Sequence, residues 1–315
     1  MGFIDLHCHS NASDGTLTPS QVVALAAREN LSAIALTDHD TTAGIKEAAK
    51  TANQLEIELI PGIEFSCVYQ GTEIHILGLF INEDDQDFSS ALQALCDIRQ
   101  KRNEEMLSRL QADHFSITME DLQEGNRDTV ITRAHFARTL VKKGYASSLE
   151  QAFRHYLQYV GRYCIRKEKV TPERIMEILT NNHAFSSLAH IMQYQFSWKE
   201  NEALLAFLKK LGLSGLEVYH SSHNQSQSAR LLELAEIYGL LPTGGSDFHG
   251  ANKPDIQIGT GRGGLCLPYR LLEKIKEEQN RNHSFASASA QDLVSAKASG
   301  LPHHAKEHTK RNTAE

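Results

Sequence analysis

This chain lacks most features that would sort it at a glance. Its 315 residues contain no run of about 18 apolar residues, so no transmembrane helix is expected. The N-terminus, MGFIDLHCHS, has neither a basic stretch nor an apolar core behind it, so no secretory signal is expected. Cysteine is sparse and odd in number: Cys8, Cys67, Cys96, Cys164 and Cys266, with no CxxC pair. That argues against a disulfide framework or a four-cysteine zinc site and fits a reducing cytoplasm. Trp198 is the one tryptophan and has no interleaved aromatic partners, so a platform for stacking a single strand is not indicated. Cations are scarce in one region: residues 1–94 hold 3 Lys/Arg against 14 Asp/Glu, whereas residues 95–170 hold 14 against 10. The acidic third is either a solvated face or a place where metal cations supply the missing charge. The basic middle third suggests an anionic ligand. A net charge of −7 argues against a protein that coats duplex DNA. Histidine is what the chain has in excess, 16 in all.

Short strands are expected over Phe3–Leu6, Ala33–Thr37, Ile57–Ile60, Glu73–Phe80, Ala184–Leu188, Leu216–Val218 and Leu241–Thr243. A helix opens at Thr18-Pro19-Ser20-Gln21, where Thr18 suits the N-cap, Pro19 the first turn and Gln21 the capping box. Others are expected over Ala43–Gln54, Glu200–Leu211 and Gln225–Tyr238. Strands alternating with helices imply βα units and a mainly parallel sheet. Residues 88–165 break the rhythm and read as a helical insertion subdomain. Residues 282–315, rich in Ala, Ser, His and Lys, have little to bury and are expected to be a mobile tail, and His303, His304 and His308 there are given no role.

The chemistry-bearing residues follow the strands. In Asp5-Leu6-His7-Cys8-His9, extended backbone points His7 and His9 to one side and Cys8 to the other. Asp14, Thr37-Asp38-His39-Asp40, Glu64, His75, His190 and Ser246-Asp247-Phe248-His249 complete the series. One histidine at a strand end is ordinarily a hydrogen-bonded structural residue. A series of imidazoles and carboxylates at successive strand ends converges on the C-terminal face of a βα barrel, where such folds place their chemistry. The nitrogen-rich donor set suits Zn²⁺, Mn²⁺ or Fe²⁺ better than Ca²⁺ or Mg²⁺. Asp5 and Asp38 are read as carboxylates that orient ligand imidazoles, with capping of the strand ends as the alternative, and His223 as substrate-facing or as a hydrogen-bonded loop histidine. Gly261-Arg262-Gly263-Gly264 lacks the strand-then-helix setting of a nucleotide-binding glycine loop.

His7-x-His9, Asp14, Thr37-Asp38-His39, Glu64, His75, His190 and Asp247-x-His249 resemble, in order and across roughly residues 1–270, the polymerase-and-histidinol-phosphatase (PHP) family. Within it the chain looks most like the 3′,5′-nucleoside bisphosphate phosphatases and the related 5′-to-3′ exoribonuclease. These have Asp at the position of Asp14 and a helical insertion after the fourth strand. The resemblance implies an α/β fold, a distorted (β/α)₇ barrel, with its PHP barrel domain over residues 1–87 and 166–281. It implies three divalent ions (Mn, Zn or Fe): one on His7, His9, Glu64 and Asp247, one on Glu64, His75 and His190, one on Asp14, His39 and His249. Asp14, His39 or His249 would protonate the leaving oxygen, and the sequence does not choose among them. One departure stands out. The family usually has Pro after the His190 position, then Gly or Ala and Arg, and this chain has Ile191-Met192-Gln193-Tyr194.

The insertion offers the anion site. Leu92, Leu95, Cys96, Met106, Leu107 and Leu110 mark a buried stripe, and seven residues beyond its first three members come Arg99, Arg102 and Asn103. Either the arginines snorkel from a partly exposed helix, or their guanidinium groups meet phosphate in a polar cavity. Thr132-Arg133-Ala134-His135 is a second cluster, similar to an Arg-x-His run in the bisphosphate phosphatases. Arg154, Arg162, Arg166 and Lys167 could extend a basic rim. The expected activity is metal-assisted hydrolysis of the 3′-phosphate of nucleoside 3′,5′-bisphosphates, or trimming of short RNA from a 5′-phosphorylated end. The alternatives are a histidinol-phosphate-type phosphomonoesterase, which needs one phosphate pocket, and a metal-stabilised, non-catalytic PHP scaffold. The expected partner is a phosphorylated nucleotide or short RNA, with no membrane; oligomeric state is not indicated.

Overall fold

A computed structural model describes residues 2–158, 161–165 and 170–281. The tail residues 282–315 and the rim residues Arg166 and Lys167 lie outside the described residues. Seven strands, β1 (Phe3–Cys8), β2 (Leu31–Leu36), β3 (Glu58–Tyr69), β4 (Thr72–Leu79), β5 (Phe185–Leu188), β6 (Gly215–His220) and β7 (Leu241–Gly245), form one sheet in sequence order. The sheet nearly closes. Beyond β7, the Asp247 N–H donates to the His7 carbonyl and the His9 N–H to the Phe248 carbonyl, both at 2.9 Å. Gly245 permits that approach, because a Cβ there would lie 2.3 Å from His7 Cβ. The architecture is the expected seven-stranded α/β barrel.

The sheet is less parallel than strict strand–helix alternation implies. β3 does not end near Ile60 but runs to Tyr69 and returns at once as β4. The turn residues Gln70 and Gly71 both have positive φ, 47° and 83°, as a two-residue hairpin with right-handed strand twist requires. With no helix to carry the chain back, β4 pairs antiparallel with β3 and with β5, while β1–β3 and β5–β7 are parallel. Glu64 and His75 therefore lie inside strands rather than after them. Ser66 pairs with His75, and alternate residues share a face, so Glu64 and His75 point to the same side of the hairpin.

The helices are α1 (Pro19–Arg28), α2 (Ile45–Leu55), α3 (Gln86–Ala112), α4 (Met119–Gln123), α5 (Arg133–Lys142), α6 (Leu149–His155), α7 (Pro172–Asn181), α8 (Trp198–Lys210) and α9 (Gln225–Ile237). α1 begins at the expected capping box, with Thr18 and Gln21 exchanging backbone hydrogen bonds at 3.3 and 2.9 Å. α1 and α2 pack Val22, Val23, Ala48 and Ala52 on Cys8, Ile34 and Leu36 of β1 and β2. α7, α8 and α9 cover β3 to β6 with Ile175, Leu179, Leu204, Leu208 and Leu231. Between β4 and β5, helices α3 to α6 enclose a separate apolar cluster built on Met106, Leu110, Phe136, Leu140 and Ala152. α3 belongs to both cores, because Phe88 and Leu95 in its first half pack with the barrel. Among the described residues no helix is long and apolar enough to cross a membrane.

Candidate active site

The barrel mouth gathers imidazoles and carboxylates whose order in the chain gives no hint of their distances. His7 Nε2 and His9 Nε2 lie 3.4 and 3.2 Å from Glu64 Oε2, and 3.7 and 3.5 Å from Asp247 Oδ1. Four atoms arranged tetrahedrally about 2.1 Å from an ion would be about 3.4 Å apart, so the spacing fits a divalent metal. The other oxygen of the same carboxylate, Glu64 Oε1, lies 2.8 Å from His75 Nδ1 and 2.8 Å from His190 Nε2. Asp14 Oδ1 is 3.2 Å from His249 Nε2, and Asp14 Oδ2 is 3.8 Å from His39 Nε2. The structure thus brings together all nine residues expected to hold metals.

His9 shows why the cluster calls for cations. It is fully buried, and neither ring nitrogen has a hydrogen-bond partner among the described residues. Leaving polar groups so buried is costly unless something binds them. His7 Nε2, Asp14 Oδ1 and His39 Nδ1 are unsatisfied in the same way. Burial tends to raise the Glu64 carboxyl, but His39, His75 and His7 around it, with a hydrogen bond from His190, hold it well below the usual range. The backbone is itself constrained here. His190 and Asp247 have φ of 24° and 58°, which non-glycine residues seldom adopt unless the surroundings enforce it.

The groups that orient the cluster differ from those expected. Among the described residues, the hydrogen bonds of Asp5 and Asp38 go to backbone and serine groups rather than to imidazoles. Asp5 accepts the backbone N–H groups of His7, Ser246 and Gly259, tying β1 to the β7 loop. Asp38 accepts from the Ser10 N–H and the Ser10 and Ser13 hydroxyls, pinning the loop that carries Asp14. The orienting carboxylate is Glu217, whose Oε1 lies 3.0 Å from His7 Nδ1 and whose Oε2 accepts the His190 N–H at 2.6 Å. The sequence does carry a signal for it: a glutamate between Leu216 and Val218 in an apolar strand is fully buried and needs partners. Thr132, which caps α5, donates its hydroxyl to Asp14 Oδ2 at 2.8 Å and so ties the insertion to the cluster.

The unusual segment after His190 is a 3₁₀ turn, Ile191–Tyr194. It delivers the Tyr194 hydroxyl to the strand ends, where it accepts from the His75 N–H at 2.9 Å and donates to the Ala189 carbonyl at 2.7 Å. One side chain thereby fixes the backbone beside two of the expected ligands. His220 lies near Asp247 and could pass for a further ligand. Its Nδ1 accepts the Ser222 N–H at 3.0 Å, and its Nε2, buried and without a hydrogen-bond partner among the described residues, lies 3.4 Å from Asp247 Oδ2. Lys253, whose Nζ is 2.6 Å from the same oxygen, braces Asp247, while His220 groups with His7 and Asp247 as residues that could hold an ion.

Beside the cluster lies a cavity of about 230 Å³ whose lining includes Asp14, His39, His75 and His249 from the barrel and Arg99, Arg102 and Arg133 from the insertion, along with Glu73 and Lys253. The arginines are not snorkelling: Arg99 and Arg102 are 4% and 6% exposed. Arg99 is bound to Asp40, with Nε 2.8 Å from Oδ2, and to the Ser66 hydroxyl at 3.1 Å. Arg133 reaches Glu73 at 3.0 Å. Arg102 has no carboxylate partner among the described residues; the Asn103 amide oxygen holds it at 2.8 and 3.2 Å. Burial and the positive charges of Arg99 and Arg133 lower Arg102 to about 10. Asn103 and His135 are not among the residues that line this cavity. Asn103 stands behind Arg102 and donates to the Ile131 carbonyl. His135 is buried, and its Nδ1 accepts the Thr132 N–H at 3.0 Å in the α5 capping box. Burial and the Arg138 charge lower its ring to about 4, so it stays neutral. Arg154 is exposed, and Arg162 is an exposed partner of Asp113 in the insertion. His223 donates from Nδ1 to the Val218 carbonyl, the hydrogen-bonded loop alternative.

Comparison with known proteins agrees with this geometry. The family model described as PHP domain matches residues 5–166. The chain is 34% identical to the 5′-3′ exoribonuclease of Haemophilus influenzae, over 78% of this chain and 89% of that protein. It is 30% identical to the 3′,5′-nucleoside bisphosphate phosphatase of Chromobacterium violaceum, over 82% and 91%. A crystal structure from Bifidobacterium adolescentis, assigned as a metal-dependent phosphoesterase, superposes with a TM-score of 0.75 at 30% identity, covering 86% of this chain and 94% of that one. The chain belongs to the PHP family. It is a metal-dependent phosphoesterase.

Proposed function

We propose that this phosphoesterase hydrolyses the 3′-phosphate of nucleoside 3′,5′-bisphosphates, and that the same site trims short RNA from a 5′-phosphorylated end. The observation that carries the reading is one cavity lined by two unlike sets of residues: Asp14, His39, His75 and His249 of the barrel, and Arg99, Arg102 and Arg133 of the insertion. In this reading three divalent ions, from among Mn, Zn and Fe, are held by His7, His9, Glu64 and Asp247, by Glu64, His75 and His190, and by Asp14, His39 and His249. Such ions supply Lewis acidity toward the phosphoryl group and make water a better nucleophile.

The protein supplies position and charge. Glu64 spans the cluster, offering one oxygen to each of two ligand groups. Glu217, Thr132 and Tyr194 hold His7, Asp14 and the His75 and Ala189 backbone in place, which limits reorganisation as the phosphoryl group is transferred. Asp14, His39 and His249 all line the cavity, and the proton for the leaving 3′-oxygen comes from one of them. The 5′-phosphate sits against the arginines. Arg102 gains there the anion that no described carboxylate provides, through a planar fork suited to two phosphate oxygens.

The test is phosphate release from adenosine 3′,5′-bisphosphate and from p-nitrophenyl phosphate, with metal content measured on the same samples. Arg99→Ala combined with Arg102→Ala should cost far more activity on the bisphosphate than on the simple ester. Equal losses would favour a one-phosphate phosphomonoesterase. A metal-loaded protein that releases phosphate from neither compound would overturn the reading in favour of a scaffold.

A further inference from the structure

The cationic cavity has a third kind of wall. Leu149 and Phe153 of α6 line it together with Arg102 and Arg133. They are four residues apart and so share a helix face. Each is more than a third exposed, at 37% and 36%. α6 is nevertheless well anchored: Ser148 caps it, and Ala152 and Leu157, both buried, fix it in the insertion core. The helix thus turns two large apolar side chains toward a space that Arg102, Arg133, Arg138 and Glu73 also line.

Single exposed apolar residues are normal on a protein surface. An adjacent pair beside a phosphate-binding wall is different, because neither phosphate nor ribose gains from it. A heterocyclic base does: it has an apolar face to bury, while its polar edges stay free for water. We propose that Leu149 and Phe153 form a nucleobase platform, with the base of the bound nucleotide lying against the Phe153 ring while its 5′-phosphate meets Arg102. The inference rests on the bisphosphate reading of the cavity and narrows it to substrates with a planar base. It also sets the kind of selectivity expected. Stacking on one aromatic ring tolerates every base and favours purines by contact area, so both adenosine and uridine substrates should be accepted. A small amino-alcohol phosphate would leave most of the platform bare.

The experiment compares adenosine 5′-monophosphate with ribose 5-phosphate by calorimetry on the metal-loaded, full-length protein. Both keep the 5′-phosphate and have no 3′-ester to be cut. Wild type should bind the nucleotide about 5- to 150-fold more tightly, the range that stacking on an aromatic side chain gives per base. Phe153→Ala should bring that ratio close to 1, and Phe153→Tyr should retain it. Phe153 is partly exposed, so the alanine variant is expected to fold. Equal affinity for the two compounds in wild type, or an unchanged ratio in Phe153→Ala, would overturn the platform while leaving the phosphate site standing. Binding of neither compound, together with no phosphate release from the bisphosphate, would overturn the platform and the bisphosphate reading at once.

Discussion

The barrel mouth and the insertion wall are both unfinished, and with opposite signs. At the mouth, fully buried His9 has two nitrogens without hydrogen-bond partners among the described residues, beside the carboxylates of Glu64 and Asp247. Across the cavity, buried Arg102 is held by an amide and flanked by two further arginines. The first region needs a cation to be complete and the second an anion. They also reach rigidity differently. The mouth is braced by strand pairing and by carboxylates such as Glu217, whereas the wall is braced residue by residue, Arg99 on Asp40 and Arg133 on Glu73. A site that must bind metal ions and a phosphorylated substrate side by side requires this division. Cations and anions left unpaired within one wall would neutralise each other.

The sharpest way to break the contrast is at the mouth. Glu64→Gln removes the charge that faces five imidazoles; turnover should fall about 1,000-fold or more, with reduced metal content by elemental analysis. If full activity and metal content survived, the cluster would not be the metal centre. On the opposite wall, Arg102→Ala should lower kcat/KM on the bisphosphate by about 10- to 150-fold, the worth of hydrogen bonds to a charged group. Metal content should not change, and Arg102→Lys should restore only part of the loss because an ammonium lacks the planar fork. An equal effect on metal content would erase the distinction between the walls. Glu217→Gln keeps size and loses charge; metal affinity should weaken about 10- to 100-fold, as with other groups that orient ligand imidazoles. Unchanged competition with a chelator would remove Glu217 from that role.

The smallest effect at neutral pH belongs to His223, away from both walls. Burial, then the His220 charge, lower its ring from 6.5 to about 4. Well above pH 6.5 the ring is neutral folded and unfolded, and it contributes no pH dependence. As pH falls toward 4 the unfolded chain takes a proton that the folded one refuses, so stability declines. Denaturant unfolding near pH 7 and near pH 5 should show a smaller decline for His223→Asn than for wild type. An identical decline would mean that the ring titrates normally in the fold.

Much of the site is legible in the order and spacing of its residues. The His7-x-His9 and Asp247-x-His249 pairs follow from the two-residue period of extended chain, and Arg99, Arg102 and Asn103 from the seven-residue stripe of α3. The residues that escape such reasoning do so for physical reasons. Asn103 and His135 have the chemistry of substrate-facing residues, but each is used locally, one steadying Arg102 and one closing a helix cap. Tyr194 falls in a loop that departs from the family pattern, and it supplies a hydroxyl to the His75 and Ala189 backbone. Glu217 is conspicuous as a glutamate in an apolar strand, but its partner, His7, lies 210 residues away. Leu149 and Phe153 carry no motif, since an exposed apolar pair has meaning only beside the cavity it lines.

The sequence alone determined the donor chemistry and its local phasing, because residue type fixes what can bind a metal or a phosphate and backbone periodicity fixes which neighbours share a side. Only the tertiary structure decided which oxygen meets which nitrogen, which arginine has no carboxylate partner among the described residues, and that β4 turns back to bring His75 beside Glu64. Those choices depend on strand pairing and loop closure between segments distant in the chain, whose relative placement no local pattern encodes.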